Sequence, residues 1–190
     1  MVTLEIEVKA YADDLKSVEE NLKKMGAHLL EVVHEIDTYY NHPNRNFVET
    51  DEALRIRASD GHTFLTYKGK KVDPESITRE EIEVALEGVN SAQQLLEKLG
   101  FNQVADVEKV RKKYELGEFT ICLDDVKGIG TFVEVEVNPT GELLEELRNR
   151  VIALLEDLNL KKYERKSYLE LLLEKQGNSG ASTDSRSMSL

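Results

Sequence analysis

The sequence predicts an α+β protein, an eight-stranded antiparallel β-barrel with helices packed outside it. Three observations lead to the antiparallel α+β class, and the charge pattern leads to the barrel. Eight segments have strand character, most of them by alternating apolar and polar residues. Several are joined by short turns, as antiparallel neighbours are. About four further segments carry helical periodicity between or after the strands. At 190 residues, 40% hydrophobic and 33% charged, the chain suffices for one domain with a substantial core.

Val2 to Ala10 alternates and reads as a strand. Asp13 and Asp14 open an amphipathic helix (Leu15, Val18, Leu22, Met25) that stops at Gly26. Leu29 to Asn41 is rich in β-branched and aromatic residues and reads as a long strand, and polar His42 to Asp51 as a loop. Ala53 to Ser59 and Thr63 to Lys68 flank Asp60-Gly61, a strong hairpin signal. After a loop at Gly69 to Pro74, Ile77 to Leu86 is a strand. Asn90 to Leu99 is a helix with Asn90 or Ser91 as its cap and Gly100 as its stop. Asp106 to Leu116 and Glu118 to Asp124 are strands joined at Gly117-Glu118, and Gly130 to Val137 is the last. Gly141 to Leu158 and Arg165 to Lys175 are helical. The domain is expected over residues 1–175. Residues 176–190 are read as a disordered tail, since from Gly177 the chain runs GNSGASTDSRSMSL without apolar periodicity.

The formal net charge of −12 argues against nucleic-acid or anionic-membrane partners bound through bulk charge. Cys122 is the single cysteine, which excludes a disulfide framework and a cysteine zinc site and fits a reducing cytoplasm. Met1 leads straight into strand-like sequence, without a signal peptide, and no apolar run is long enough to span a bilayer. A cytoplasmic protein without a membrane partner is expected.

The distribution of charge is more informative than its total. Glu5, Glu7 and Lys9 share one face of the first strand. Arg55 and Arg57, Lys68, then Arg79, Glu81 and Glu83 do the same on theirs. Lys109, Arg111 and Lys113 share a face, as do Cys122 and Asp124, and Glu134 and Glu136. One such strand is most simply solvated. Repetition over seven strands, with eight bases against seven acids, is not an ordinary wet sheet face. If the apolar faces pack outward on the helices, the charged faces line a lumen, where charges need partners, a metal or a ligand. Arginines grip phosphate oxygens, and carboxylates spaced i, i+2 offer oxygen ligands to Mg²⁺ or Mn²⁺. The lumen therefore suits a metal–polyphosphate.

Glu5-x-Glu7-x-Lys9 resembles the ExExK signature of the CYTH family, the class IV adenylyl cyclases and thiamine triphosphatases, also called triphosphate tunnel metalloenzymes. The ordered matches Arg55-x-Arg57, Lys68, Arg79-x-Glu81-x-Glu83, Lys109-x-Arg111, Asp124, Glu134-x-Glu136 and Lys166-Ser167-Tyr168 strengthen it. The resemblance covers residues 1–173 and implies a tunnel open at both ends. It implies that Glu5, Glu7, Glu134 and Glu136, with Asp124 and Glu81, hold one or two Mg²⁺ or Mn²⁺ ions. Lys9, Arg55, Arg57, Lys68, Arg79 and Arg111, with Lys109 and Lys166 as weaker candidates, would hold a triphosphate: ATP, thiamine triphosphate or tripolyphosphate. The implied activity is class IV adenylyl cyclase-like, giving cyclic AMP and pyrophosphate, or triphosphatase; a non-catalytic polyphosphate-binding module is the alternative. A homodimer is compatible with the resemblance. No general base or adenine-recognising residue can be named. Gly128-Ile129-Gly130 precedes a strand and reads as a turn, and Cys122 as a packed wall residue.

Overall fold

The computed structural model describes residues 2–139 and 143–181. The strands are β1 (Val2–Tyr11), β2 (His28–Asn41), β3 (Ala53–Ser59), β4 (His62–Lys68), β5 (Arg79–Leu86), β6 (Asn102–Leu116), β7 (Phe119–Val126), β8 (Gly130–Val137) and β9 (Tyr163–Glu164). The helices are α1 (Leu15–Lys24), α2 (Phe47–Thr50), α3 (Val89–Lys98), α4 (Leu144–Asp157) and α5 (Tyr168–Ala181).

Strand order β5-β4-β3-β2-β6-β7-β8-β1 is closed by a further β1–β5 pairing, so eight antiparallel strands form a barrel. β1 makes the closure by changing partner: Val2 to Glu5 pair with β5, and Ile6 to Tyr11 with β8. Two-residue β9 adds beside Lys9 and Ala10.

Period-two alternation sends one set of side chains outward, and these build the core. Ile6, Val8, Ala10, Tyr114, Ile121, Leu123, Val133, Val135 and Val137 pack against Val18 and Leu22 of α1 and Leu147, Val151, Leu154 and Leu155 of α4. Burying each large aliphatic side chain stabilises the fold by about 1.5–3 kcal/mol. A second cluster seats Leu96 of α3 and Phe47 of α2 on Tyr40, Leu54 and Ile56. The covering is incomplete: Leu30, Val32 and Val110, on the outer face of β2 and β6, are 52%, 51% and 45% exposed.

The expected elements are present. β9 is additional, β6 begins at Asn102 rather than Asp106, and three further differences are local. The His42–Asp51 stretch contains α2, whose cap is the Asn46 side chain accepting from Val48 N, with Phe47 buried as its anchor. α3 starts at Val89, one residue early, on an extended Gly88 without a side-chain cap. α5 runs to Ala181, beyond Lys175. Residues 182–190 of the serine-rich tail and 140–142 before α4 lie outside the described residues. The Asp60-Gly61 hairpin is as expected, with φ of 40° and 88°, values that suit the twist of paired strands.

Candidate functional site

The inward faces enclose a cavity of about 320 Å³ lined by eight acidic and eight basic side chains. Of the residues expected there, Glu5, Glu7, Glu81, Glu134 and Glu136 line it, as do Lys9, Arg55, Arg57, Lys68, Arg79, Lys109 and Arg111. Two are placed elsewhere. Asp124 is fully buried in the wall, where Arg111 grips it bidentately at 2.7 and 2.5 Å and the Tyr168 hydroxyl donates to it at 2.7 Å. Lys166 lies outside the lumen, half exposed and paired with Glu174 at 2.7 Å, because the turn into α5 gives the inward place to Tyr168.

Sequence reasoning missed the carboxylates of β2. Glu31, Glu35 and Asp37 alternate on it and face the lumen wall, as Tyr39 does. The period was there to read, but Val32, Val33, Ile36 and the tyrosines marked a buried strand and drew attention from its carboxylates.

Four of the eight lining acids, Glu5, Glu7, Glu134 and Glu136, lie on the neighbouring strands β1 and β8. Glu7 faces Glu136 and Lys9 faces Glu134 across this pair. Oxygens of Glu7, Glu134 and Glu136 come within 4.8 Å of one another, a hard-oxygen set that suits Mg²⁺ or Mn²⁺. Burial, reinforced by Glu136, pushes Glu5 up to about 8; burial and then Glu134 push Glu7 up to about 7. Burial also raises Glu136, against the pull of Arg111. Glu134 goes the other way. Burial would raise it, but Arg111 and Lys9 outweigh burial and hold it below the ordinary carboxylate range. Crowded carboxylates with raised pKa values carry a strain that a bound cation would relieve.

The bases are spread over β3, β4, β5 and β6, with Lys9 on β1 and Arg79 directly beside Glu5. Asp37, 1% exposed, is the common counter-ion of Arg55, Arg57 and Lys109. It accepts from Arg57 Nε and Nη2 at 2.6 and 2.8 Å, from Arg55 at 3.2 Å and from Lys109 at 2.9 Å. Despite burial, Arg55, Arg57 and Lys109 hold its pKa well below the carboxylate range. Glu35 pairs with Lys109 at 2.8 Å and Arg57 at 3.2 Å, which bring it to about 2 against the effect of burial. Lys68 is paired with Glu81. The Nε groups of Arg55 and Arg79 are buried without a hydrogen-bond partner, donors that suit a phosphate oxygen. Cys122 is fully buried, and burial pushes its thiol well up despite Arg111, which fits a wall residue and not a nucleophile.

One end of the barrel is filled. The inward faces of β2, β6, β7 and β8 finish there in Tyr39, Val107, Val126 and Phe132, and Tyr168 packs among them with α5 leucines behind. A capping box starts α5: Ser167 Oγ accepts from Glu170 N at 3.2 Å and Glu170 accepts from Ser167 N at 2.7 Å. The Ser167-x-x-Glu170 spacing was legible in the sequence.

Comparison with known proteins agrees with this architecture. A CYTH domain family model matches residues 3–168. A Methanocaldococcus jannaschii protein, provisionally named an adenylate cyclase, is 43% identical over 175 residues, covering 88% of this chain and 98% of that protein. Adenylate cyclase CyaB of Aeromonas hydrophila is 29% identical over 148 residues, 75% of this chain and 74% of that protein. A solved Pyrococcus horikoshii structure superposes with a TM-score of 0.83 at 43% identity, covering 90% of this chain and 99% of that one. A Hippeastrum protein described as having a dominant triphosphatase activity shares the fold at a TM-score of 0.65 and 16% identity, over 90% of this chain and 95% of its own. With its closed eight-stranded barrel and charged lumen, the chain belongs to the CYTH domain family.

Proposed function

We propose that the chain is a metal-dependent phosphoryl-transfer enzyme whose substrate is a linear triphosphate held in the lumen. The observation that carries this reading is that one cavity holds both a carboxylate cluster and a cluster of bases. Glu7, Glu134 and Glu136 form the first, and Arg55, Arg57 and Lys109 around buried Asp37 the second. Binding an anion alone needs the bases only, so the carboxylate cluster favours catalysis over a binding module.

Glu7, Glu134 and Glu136, with Glu5 beside them, would hold Mg²⁺ or Mn²⁺. When bound, the ion would neutralise charge developing on the phosphoryl oxygens. The remaining work falls to the chain's own residues. Arg55, Arg57, Arg79 and Lys109 grip non-bridging oxygens. Lys9 and Arg111, each already paired with Glu134, would move between that carboxylate and the phosphate. Positioning and charge neutralisation of this kind supply most of catalysis in phosphoryl transfer.

The attacking oxygen decides the product. Water attacking the terminal phosphorus breaks the bridging P–O bond and releases orthophosphate and diphosphate. The ribose 3′-hydroxyl of ATP attacking the α-phosphorus releases pyrophosphate and gives cyclic AMP. The lining favours hydrolysis. Its aromatic residues, Tyr39 and Tyr168, both belong to the filled end, and Glu31, Glu83, Lys113 and Asn138 offer no ring on which adenine would stack. The names of the relatives support the cyclase reading, and the Hippeastrum protein shows that the fold accommodates hydrolysis. Calorimetric titration with tripolyphosphate, with and without Mn²⁺, tests the common claim. Binding that strengthens with Mn²⁺ is expected, and binding indifferent to the metal removes the metal half of the proposal.

A further inference from the structure

We propose that Glu35 is a resident counter-ion that the substrate must displace, and that it decides which anions the lumen accepts; this rests on the triphosphate reading above. Three observations carry it. First, Glu35 and Asp37 share the same bases but are held differently. Arg57 donates two hydrogen bonds to Asp37, at 2.6 and 2.8 Å, and Lys109 donates one at 2.9 Å. Oε2 of Glu35 lies 2.8 Å from Lys109 and 3.2 Å from Arg57, yet it is buried without a hydrogen bond. Asp37 is bonded in place, whereas charge alone holds Glu35 Oε2.

Second, the local charges leave a deficit. Arg55, Arg57 and Lys109 supply three positive charges, and Asp37 and Glu35 supply two negative ones. Withdrawing Glu35 leaves two positive charges unmatched, close to what a fully ionised phosphoryl group neutralises. Glu35 competes for that place as an anion throughout the neutral range: burial would raise its pKa, but Arg57 and Lys109 bring it to about 2.

Third, Glu35 has room to move. It pairs with Ser59, the last residue of β3, and the β2 residues before it pair with β6 alone. The wall is therefore open on the rim side of Glu35, where the side chains of Glu31 and Lys113 are 50% and 36% exposed. Asp37 lies two residues deeper and is flanked by β3 on one side and β6 on the other.

A tethered carboxylate acts at an effective concentration on the order of millimolar or above. A small anion that binds only at Arg57 and Lys109 gains little by replacing it. A triphosphate gains more, because the same molecule also reaches the other bases and the cluster of Glu7, Glu134 and Glu136. Glu35 therefore keeps these bases from filling with orthophosphate, the small anion that triphosphate hydrolysis releases. The cost is a weaker hold on the substrate.

The test uses the full chain, with Mg²⁺ and separately with chelator, and a methylene-bridged triphosphate that cannot be hydrolysed. Calorimetry reads its binding, and competition by orthophosphate, in the parent, in Glu35→Gln and in Glu31→Gln. Glu35→Gln should bind the triphosphate about tenfold more tightly under both conditions and make orthophosphate an equally improved competitor, the worth of one charge-assisted contact. Glu31→Gln removes the same charge at the exposed rim, away from Arg57 and Lys109, and should shift either affinity by less than about threefold. Unchanged or weaker binding in Glu35→Gln overturns the role of Glu35 while leaving the triphosphate site standing. Equal tightening in both variants also overturns it, since overall charge would then be the cause. The parent alone gives a check that needs no variant: orthophosphate competing within about tenfold of the triphosphate contradicts exclusion by Glu35. Failure of the parent to bind the triphosphate overturns the underlying reading as well.

Discussion

Glu7 and Glu136 face each other between β1 and β8, and burial and then carboxylate neighbours raise the pKa of each. Replacing either by Ala should leave the barrel folded and lower metal-dependent turnover on the order of 10²–10³-fold, as removal of a charge-stabilising group does. Turnover unchanged in both variants removes the metal assignment. Arg57→Ala should act differently, raising KM about ten- to a hundredfold with a smaller change in kcat, since a charge-assisted contact to substrate is worth about 1.5–3 kcal/mol. Asp37 is structural by contrast. Asp37→Ala strands three buried cations and should cost about 3–5 kcal/mol in denaturant unfolding. The sign of the pH dependence follows from the same residues. Glu5 at about 8 and Glu7 at about 7 bind protons in the fold that the unfolded chain has released above its ordinary value of 4.5. Their contribution is complete below that value and is lost as pH rises through 7 to 8. Thermal unfolding in chelator should therefore show a lower Tm at about pH 8.5 than at about pH 5.5, with Mn²⁺ restoring more at the higher pH. A metal-free Tm that rises over this interval would contradict the carboxylate crowding.

At the scale of elements, the strands are organised by period two, and this is why so much of them was legible. Wherever a charged inward face alternated with Val, Ile or Leu, as in FVEVEV of β8, both the strand and its inward residues could be read from the sequence. β2 escaped because its carboxylates are interleaved with a dense apolar and aromatic run, so the strand was recognised and its inward face was not. Asp124 and Lys166 show the complementary limit. Parity gives the side of a strand a residue faces, but it cannot tell a lining side chain from one locked into the wall by Arg111 and Tyr168. A loop residue such as Lys166 has no parity at all. Helix starts depend on a few polar atoms. Ser167→Ala removes one arm of the α5 capping box and should lower stability by about 0.5–2 kcal/mol in urea unfolding. No change in stability would mean that the box does not anchor α5.

For the whole molecule, the barrel inverts the usual arrangement: its apolar core lies outside, under α1 and α4, and its interior is ionic. That interior is nearly charge-balanced although the chain carries a net charge of −12, so the acidic excess lies away from the lumen and does not set the sign of the site. Among the described residues no helix is long and apolar enough to cross a membrane. The fold was accessible from strand count and parity. The packing of Tyr168 among Tyr39, Val107, Val126 and Phe132 was not, because it depends on where α5 docks after the last barrel strand. The most direct test of the central claim, metal-dependent transfer from a linear triphosphate, is ³¹P NMR of the purified protein on tripolyphosphate and on ATP, with Mg²⁺, with Mn²⁺ and with chelator. The account predicts orthophosphate from tripolyphosphate in the presence of metal and none with chelator; cyclic AMP with pyrophosphate from ATP would keep the metal–triphosphate site and assign the cyclase reaction instead. Both substrates remaining intact under either metal would contradict it.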